Sequence, residues 1–181
     1  MQSALSVYMG NEAAKTIGEQ GWQAAPFSTL IGASGGPKWL ILSELDKVLG
    51  QALLLKRGEP MTLLGSSIGT WRHACLSIND PCAAISRLQH AYLYQEYSCA
   101  RPSPIEVSEV AEQMLREALG PVGARQISNH ATLHNAIVTA RAKGVARGES
   151  GWKLGMGMAT ATLGNAISRK GLGLLFDRVA F

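Results

Sequence analysis

Three absences bound what this 181-residue chain can be. Its cysteines are only Cys75, Cys82 and Cys99, an odd number with no C-x-x-C spacing, which argues against a disulfide framework or a zinc knuckle. No apolar run reaches the roughly 18 residues of a spanning helix. The nearest, Leu154 to Ile167, is broken by Gly155, Gly157, Gly164 and Asn165. The first ten residues lack the basic and apolar regions of a secretory leader. The expected location is therefore the cytoplasm, with thiols reduced. Aspartate is scarce too: Asp46, Asp80 and Asp177 are the whole supply.

What is present reads as one globular domain, with 46% hydrophobic and 17% charged residues. The charge is lopsided. Residues 1–120 carry 9 Lys+Arg against 11 Asp+Glu, while residues 121–181 carry 8 against 2. The basic residues of the second part are dispersed and lack interleaved aromatics, so a solvated face comes first. Peripheral contact with an anionic membrane is second, and nucleic acid is not expected as a partner.

Strand and helix patterns alternate. Phe27–Ile31, Met61–Leu64 and Leu133–Ala140 read as strands, the first and last as buried ones. Leu40–Leu49 reads as an amphipathic helix closed by Gly50. It places Leu40, Ile41, Leu45, Val48 and Leu49 inward and Glu44, Lys47 and Gln51 outward. Further helices are expected over Ile68–Ile78, over Cys82–Tyr97, and from the Ser103-Pro104-Ile105-Glu106 capping box to Leu119, where Gly120-Pro121 stops it. Gly144–Gly151 reads as a loop and Trp152–Ser168 as a glycine-rich helix. The alternation predicts a single α/β domain, a mostly parallel sheet flanked by helices, with its site beyond the carboxyl ends of the strands.

Two glycine motifs fall at such strand ends. Gly65-Ser66-Ser67-Ile68-Gly69 follows an apolar strand and precedes a helix, the context in which G-x-S-x-G presents a nucleophilic serine, here Ser67. Gly32-Ala33-Ser34-Gly35-Gly36-Pro37-Lys38 offers backbone N–H groups to an oxyanion. Read as a phosphate-binding P-loop it fails, because Pro37 and Trp39 stand where a glycine and a hydroxyl residue are needed and only Lys38 fits. No cofactor and no metal is expected. His130 and His134 are four apart but lie in a loop and strand pattern without a nearby carboxylate, His73 points away from Ser67, and His90 sits in mid-helix. Trp71, Arg72, Tyr92 and Tyr94 read as packing or surface residues.

Together these motifs resemble the patatin-like phospholipase family, in a bacterial branch. Ser34-Gly35-Gly36-Pro37-Lys38-Trp39 is similar to the family's G-G-G-x-[RK]-G loop, and Leu42 to Leu49 to the helix after it. Gly65-Ser66-Ser67-Ile68-Gly69 is similar to its G-[ST]-S-[AI]-G elbow. The resemblance implies a three-layer α/β sandwich and a lipid acyl hydrolase of phospholipase A or esterase type. It implies Ser67 as nucleophile of a Ser–Asp dyad, with Gly35, Gly36 and Lys38 donating N–H groups to the oxyanion hole and Gly65 and Gly69 shaping the elbow. Ser34 and Trp39 replace family glycines, a change that costs of order 1 kcal/mol or more wherever a positive φ is required. The family's aspartate lies in a D-G-[GA] motif well downstream. None of Asp46, Asp80 and Asp177 is followed by Gly, so the expectation is an N-terminal portion that stops before its base. The partner implied is a lipid or acyl-ester substrate, and oligomeric state is left open. Two alternatives stand beside this one: a non-catalytic module that binds acyl chains or partners, and a serine acyltransferase.

Overall fold

The computed structural model describes residues 6–55, 57–143, 162 and 176–181. Helix α1 (Asn11–Gln20) is followed by β1 (Thr29–Gly32), a 3-10 segment over Gly36–Leu42, α2 (Ser43–Leu49) and a wide π turn over Gly50–Leu54. Then come β2 (Met61–Gly65), α3 (Ile68–Leu76), α4 (Pro81–Leu93), α5 (Pro104–Leu119), α6 (Gly123–Ser128), β3 (Leu133–Ala142) and β4 (Phe176–Ala180). The four strands form one sheet in the order β1-β2-β3-β4. The first three are parallel, with Gly32 beside Gly65 and Gly65 beside Ile137, and β4 runs antiparallel along the outer half of β3. The expected α/β class with a mostly parallel, helix-flanked sheet is what forms.

Local sequence explains the helix ends. Asp80 Oδ1 accepts the Ala83 N–H at 2.9 Å and Pro81 opens α4. Ser103 Oγ accepts the Glu106 N–H at 3.1 Å, Pro104 opens α5, and Gly120 at φ 67° ends it. The capping box closes only on that side. Glu106 turns its carboxylate to the Ser98 N–H (2.5 Å) and hydroxyl (3.0 Å), and these bonds hold its carboxyl below the usual range.

Helix α3 seats on the face of the sheet formed by Leu30, Gly32, Leu63 and Gly65, and α4 packs against α2, α3 and α5 behind it. Ile85, Leu88, Leu63, Leu133 and Trp39 anchor the core, each aliphatic side chain contributing about 1.5–3 kcal/mol by burial. Arg57 pins the approaches to β1 and β2 by donating to the carbonyls of Ala24, Phe27, Glu59 and Pro60.

Several expectations are corrected. β1 is an edge strand with Thr29 exposed and Ile31 73% exposed, and only Leu133 of β3 is buried, so neither is a buried strand. The stretch expected as one helix over Leu40–Leu49 is 3-10 as far as Leu42 and then α2, and it buries Trp39, Ser43, Asp46 and Gly50, while Ile41 and Val48 are 85% and 59% exposed. Gly50 does not close that helix. It stays in the right-handed region and leads into the π turn, and a Cβ added there would lie 3.0 Å from Pro81 Cβ. The helix expected to reach Tyr97 ends at Leu93, and Asp177, at apparent helical spacing in sequence, lies in β4. Helices α1 and α6 carry no counterpart in the sequence reading. The expected loop at 144–151 and helix at 152–168 lie outside the described residues, Thr162 apart.

Candidate active site

Ser67 sits at the joint between β2 and α3 with φ 53° and ψ −130°, and among the described residues it is the only non-glycine with positive φ. An L-residue held there is strained by about 1–3 kcal/mol, and such strain gathers at functional sites. Its neighbours make the turn feasible. A Cβ on Gly65 would lie 2.6 Å from Thr70 Cα, and one on Gly69 would overlap the Gly32 carbonyl oxygen and lie 2.5 Å from its carbon. The first turn of α3 therefore rests directly on the end of β1. The turn leaves Ser67 exposed to solvent, with the positive end of α3 behind it.

The two glycine motifs meet. The Ser66 N–H donates to Gly32 O at 3.2 Å, and Ser34 Oγ donates to Ser66 Oγ (3.2 Å) and more weakly toward Ser66 O (3.4 Å). Beyond Ser34 only one of the loop's two glycines takes a positive φ. Gly36 takes φ 51°, while Gly35 at φ −171° is extended. Neither Ser34 nor Trp39 takes a positive φ, so neither position is strained. The expected oxyanion donors divide. Among the described residues, the Gly35 and Gly36 N–H groups donate to no backbone carbonyl, whereas the Lys38 N–H turns back to Gly35 O at 3.3 Å. The Ile68 N–H, at the start of α3 and next to Ser67, is also untaken among those residues. The sequence reading missed it, although the residue after an elbow serine is a standing source of such a donor.

Beside Ser67 opens a cleft of about 520 Å³, walled by Trp71, Leu115, Leu119, Ile127 and Ile137. Ser67, Thr70, Ser128, Asn135 and Thr139 interrupt its apolar lining, and Thr70 Oγ1 and Asn135 Oδ1 are buried without a partner among the described residues. Asn135 donates through Nδ2 to Ser77 Oγ at 2.8 Å, and Ser77 donates in turn to His73 O at 2.9 Å. An asparagine at an inward position of a strand was the signal in the sequence, and it went unread. A pocket of this size, mostly apolar with a few fixed polar points, suits a small or single-chain ligand.

The carboxylates and imidazoles are placed elsewhere. Asp46 accepts from Arg72 Nε and Nη2, both at 2.6 Å, Asp80 caps α4, and Asp177 accepts from Lys143 Nζ at 2.7 Å. His73 is buried, its pKa lowered by burial and then by the adjacent Arg72 charge, against the pull of the Leu63 carbonyl and Asp46. His130 Nδ1 accepts the N–H groups of Thr132 (3.2 Å) and Leu133 (3.0 Å), and burial and the His134 charge lower its pKa. His90 lies against Tyr94, ring centroids 4.6 Å apart. Among the described residues no carboxylate or imidazole bonds Ser67, and no group of His, Cys, Asp and Glu could hold a metal ion. Burial pushes the Cys75 thiol up to about 12, so it offers no rival nucleophile. No helix of the described residues is long and apolar enough to cross a membrane.

Fold and site thus define an α/β protein with a strained, exposed serine at a strand–helix elbow beside an apolar cleft. No family model matches the chain, and neither does any curated protein or any solved structure.

Proposed function

We propose that this chain carries the nucleophile and oxyanion hole of a patatin-like serine acyl hydrolase acting on lipid esters. The conformation of Ser67, held at positive φ at the mouth of an apolar cleft, carries this reading. Ser67 Oγ attacks the ester carbonyl carbon while its proton passes to a carboxylate outside the described residues, by resemblance an aspartate. The Gly35, Gly36 and Ile68 N–H groups receive the oxyanion. The Lys38 N–H joins them only if it leaves Gly35 O. Collapse expels the alcohol, which takes the proton. Water then attacks the acyl-serine, releasing the fatty acid and restoring the hydroxyl. The cleft between α3, α5, α6 and β3 takes the acyl chain. The whole domain is a three-layer sandwich, cytoplasmic and in peripheral contact with membrane.

Labelling the full-length protein with an alkyl fluorophosphonate tests this. One adduct should map to Ser67, disappear in Ser67→Ala, and block release of p-nitrophenol from a short-chain ester. A folded protein that gives no adduct at Ser67 overturns the hydrolase. It would favour the second reading, an acyl-binding module, which is supported by the lack of a base bonded to Ser67 among the described residues.

A further inference from the structure

Helix α3 carries three inward groups on one face: Gly69, Arg72 and His73, at the i, i+3 and i+4 spacing that stacks side chains on adjacent turns. Each reaches the segment that bears the oxyanion loop. Gly69 rests on the Gly32 carbonyl, and the His73 ring fills the space a Gly32 side chain would need, with Cε1 and Nε2 only 2.7 and 2.8 Å from the position of that Cβ. Arg72 spans to α2, where Asp46 receives two parallel bonds of 2.6 Å in a site that leaves Asp46 1% exposed. Asp46 lies on the buried row Trp39, Ser43, Asp46, Gly50 of the stretch running directly from the loop. One motif leads into α2 and the other into α3, and the ion pair ties the two just behind the place where Ser34 meets Ser66.

We propose that Asp46 and Arg72 are positioning residues whose bidentate pair, with His73 seated on Gly32, sets the distance between the oxyanion donors of the 33–36 loop and the Ser67 hydroxyl. This rests on the hydrolase reading for its catalytic consequence, and on geometry alone for the mechanical one. Two parallel N–H···O bonds fix both separation and rotation of the joined helices, which a single ammonium could not do. A misplacement of about 1 Å between reacting groups costs on the order of a hundredfold in rate. The pair therefore acts through the geometry of other groups, and Arg72 is neither the surface nor the general packing residue that its sequence suggests.

The test separates positioning from stability. Breaking the pair with Asp46→Asn risks unfolding, because a buried guanidinium is left without its partner. The decisive variant is the double replacement Asp46→Leu/Arg72→Met, since an apolar pair of similar volume commonly folds as well as the ion pair it replaces. Amide exchange is read at Ser66, whose N–H bonds Gly32 O, and at Leu88 in α4, outside the two helices that the pair joins. In the double variant the Ser66 amide should exchange on the order of tenfold faster while Leu88 is unchanged. The fluorophosphonate reaction at Ser67 should slow on the order of a hundredfold at saturating probe, with the half-saturating concentration unaltered. Equal acceleration at Ser66 and Leu88, or no change at Ser66, overturns the proposal. Absence of labelling in the wild-type chain sinks the hydrolase reading instead, and the exchange comparison still decides the clamp.

Discussion

Replacing Gly69 by alanine puts the contact between elbow and β1 under direct stress. Gly69 is helical, and in a free helix alanine would gain about 1 kcal/mol. Here the new methyl would overlap the Gly32 carbonyl oxygen, and its next neighbours, Gly32 C at 2.5 Å and Ala33 O at 2.9 Å, are also backbone. No flexible side chain can step aside. Either β1 or α3 must shift, at the upper end of the 1–3 kcal/mol typical of overpacking. The shift also strains the Ser66 to Gly32 bond, worth about 1 kcal/mol. A net loss of about 2–3 kcal/mol follows, which for a domain of this size lowers Tm by roughly 5–10 °C. Urea titration gives the number, with an unchanged slope confirming that only stability moved. Gly18→Ala is the control, because Gly18 lies within α1 and a Cβ there meets nothing within 4 Å. It should be neutral or stabilising by up to about 1 kcal/mol. A Gly69→Ala protein as stable as wild type would refute the direct rest of α3 on β1.

Two further outcomes follow from the same geometry. Ser67→Gly should stabilise the protein by about 1 kcal/mol in urea, the relief of positive φ exceeding the flexibility glycine adds to the unfolded chain, while removing all labelling. A loss of stability would show that the angle carries no strain. Acid should weaken the fold through His73, whose native pKa lies below the ordinary 6.5. Between the two values the unfolded chain binds the proton and the native one does not. Stability is therefore full above 6.5, falls as pH drops toward the native value, and levels off below it. His130 is shifted the same way and adds to that limb, so the comparison is with His73→Gln, which should flatten it. An identical pH profile in the variant would exclude His73 as the source.

What the sequence made legible was local. Asp80-Pro81 and Ser103-Pro104 announce helix starts because a side-chain oxygen and a fixed φ act within one turn. The elbow glycines announce themselves because crowding between adjacent segments admits nothing larger. Exposure and long-range pairing were another matter. Ile41 and Val48 look like core residues, yet Asp46 faces inward, where Arg72, twenty-six positions beyond it, supplies the partner a buried carboxylate requires, and Ser43 beside it bonds the Leu40 carbonyl. The crowding of Gly50 by Pro81 and the strand identity of Asp177, which pairs with Arg141, are likewise invisible within a local window. The site followed the same division: Ser67, Gly35 and Gly36 stand out by spacing, whereas Ile68, Thr70 and Asn135 enter it only through the fold.

The rest of Gly69 and His73 on Gly32 has a consequence for how the protein comes into being. That contact exists only once β1 lies beside β2, with Thr29 matched to Thr62, and β2 is in turn flanked by β3, with Met61 matched to Leu133. Such distant pairings close slowly, since loop entropy must be overcome before the contacts form. An isolated β2–α3 unit therefore lacks the Gly32 contact against which Gly69 and His73 rest. The crowding that backs the Ser67 elbow is thus complete only when β1 lies beside β2.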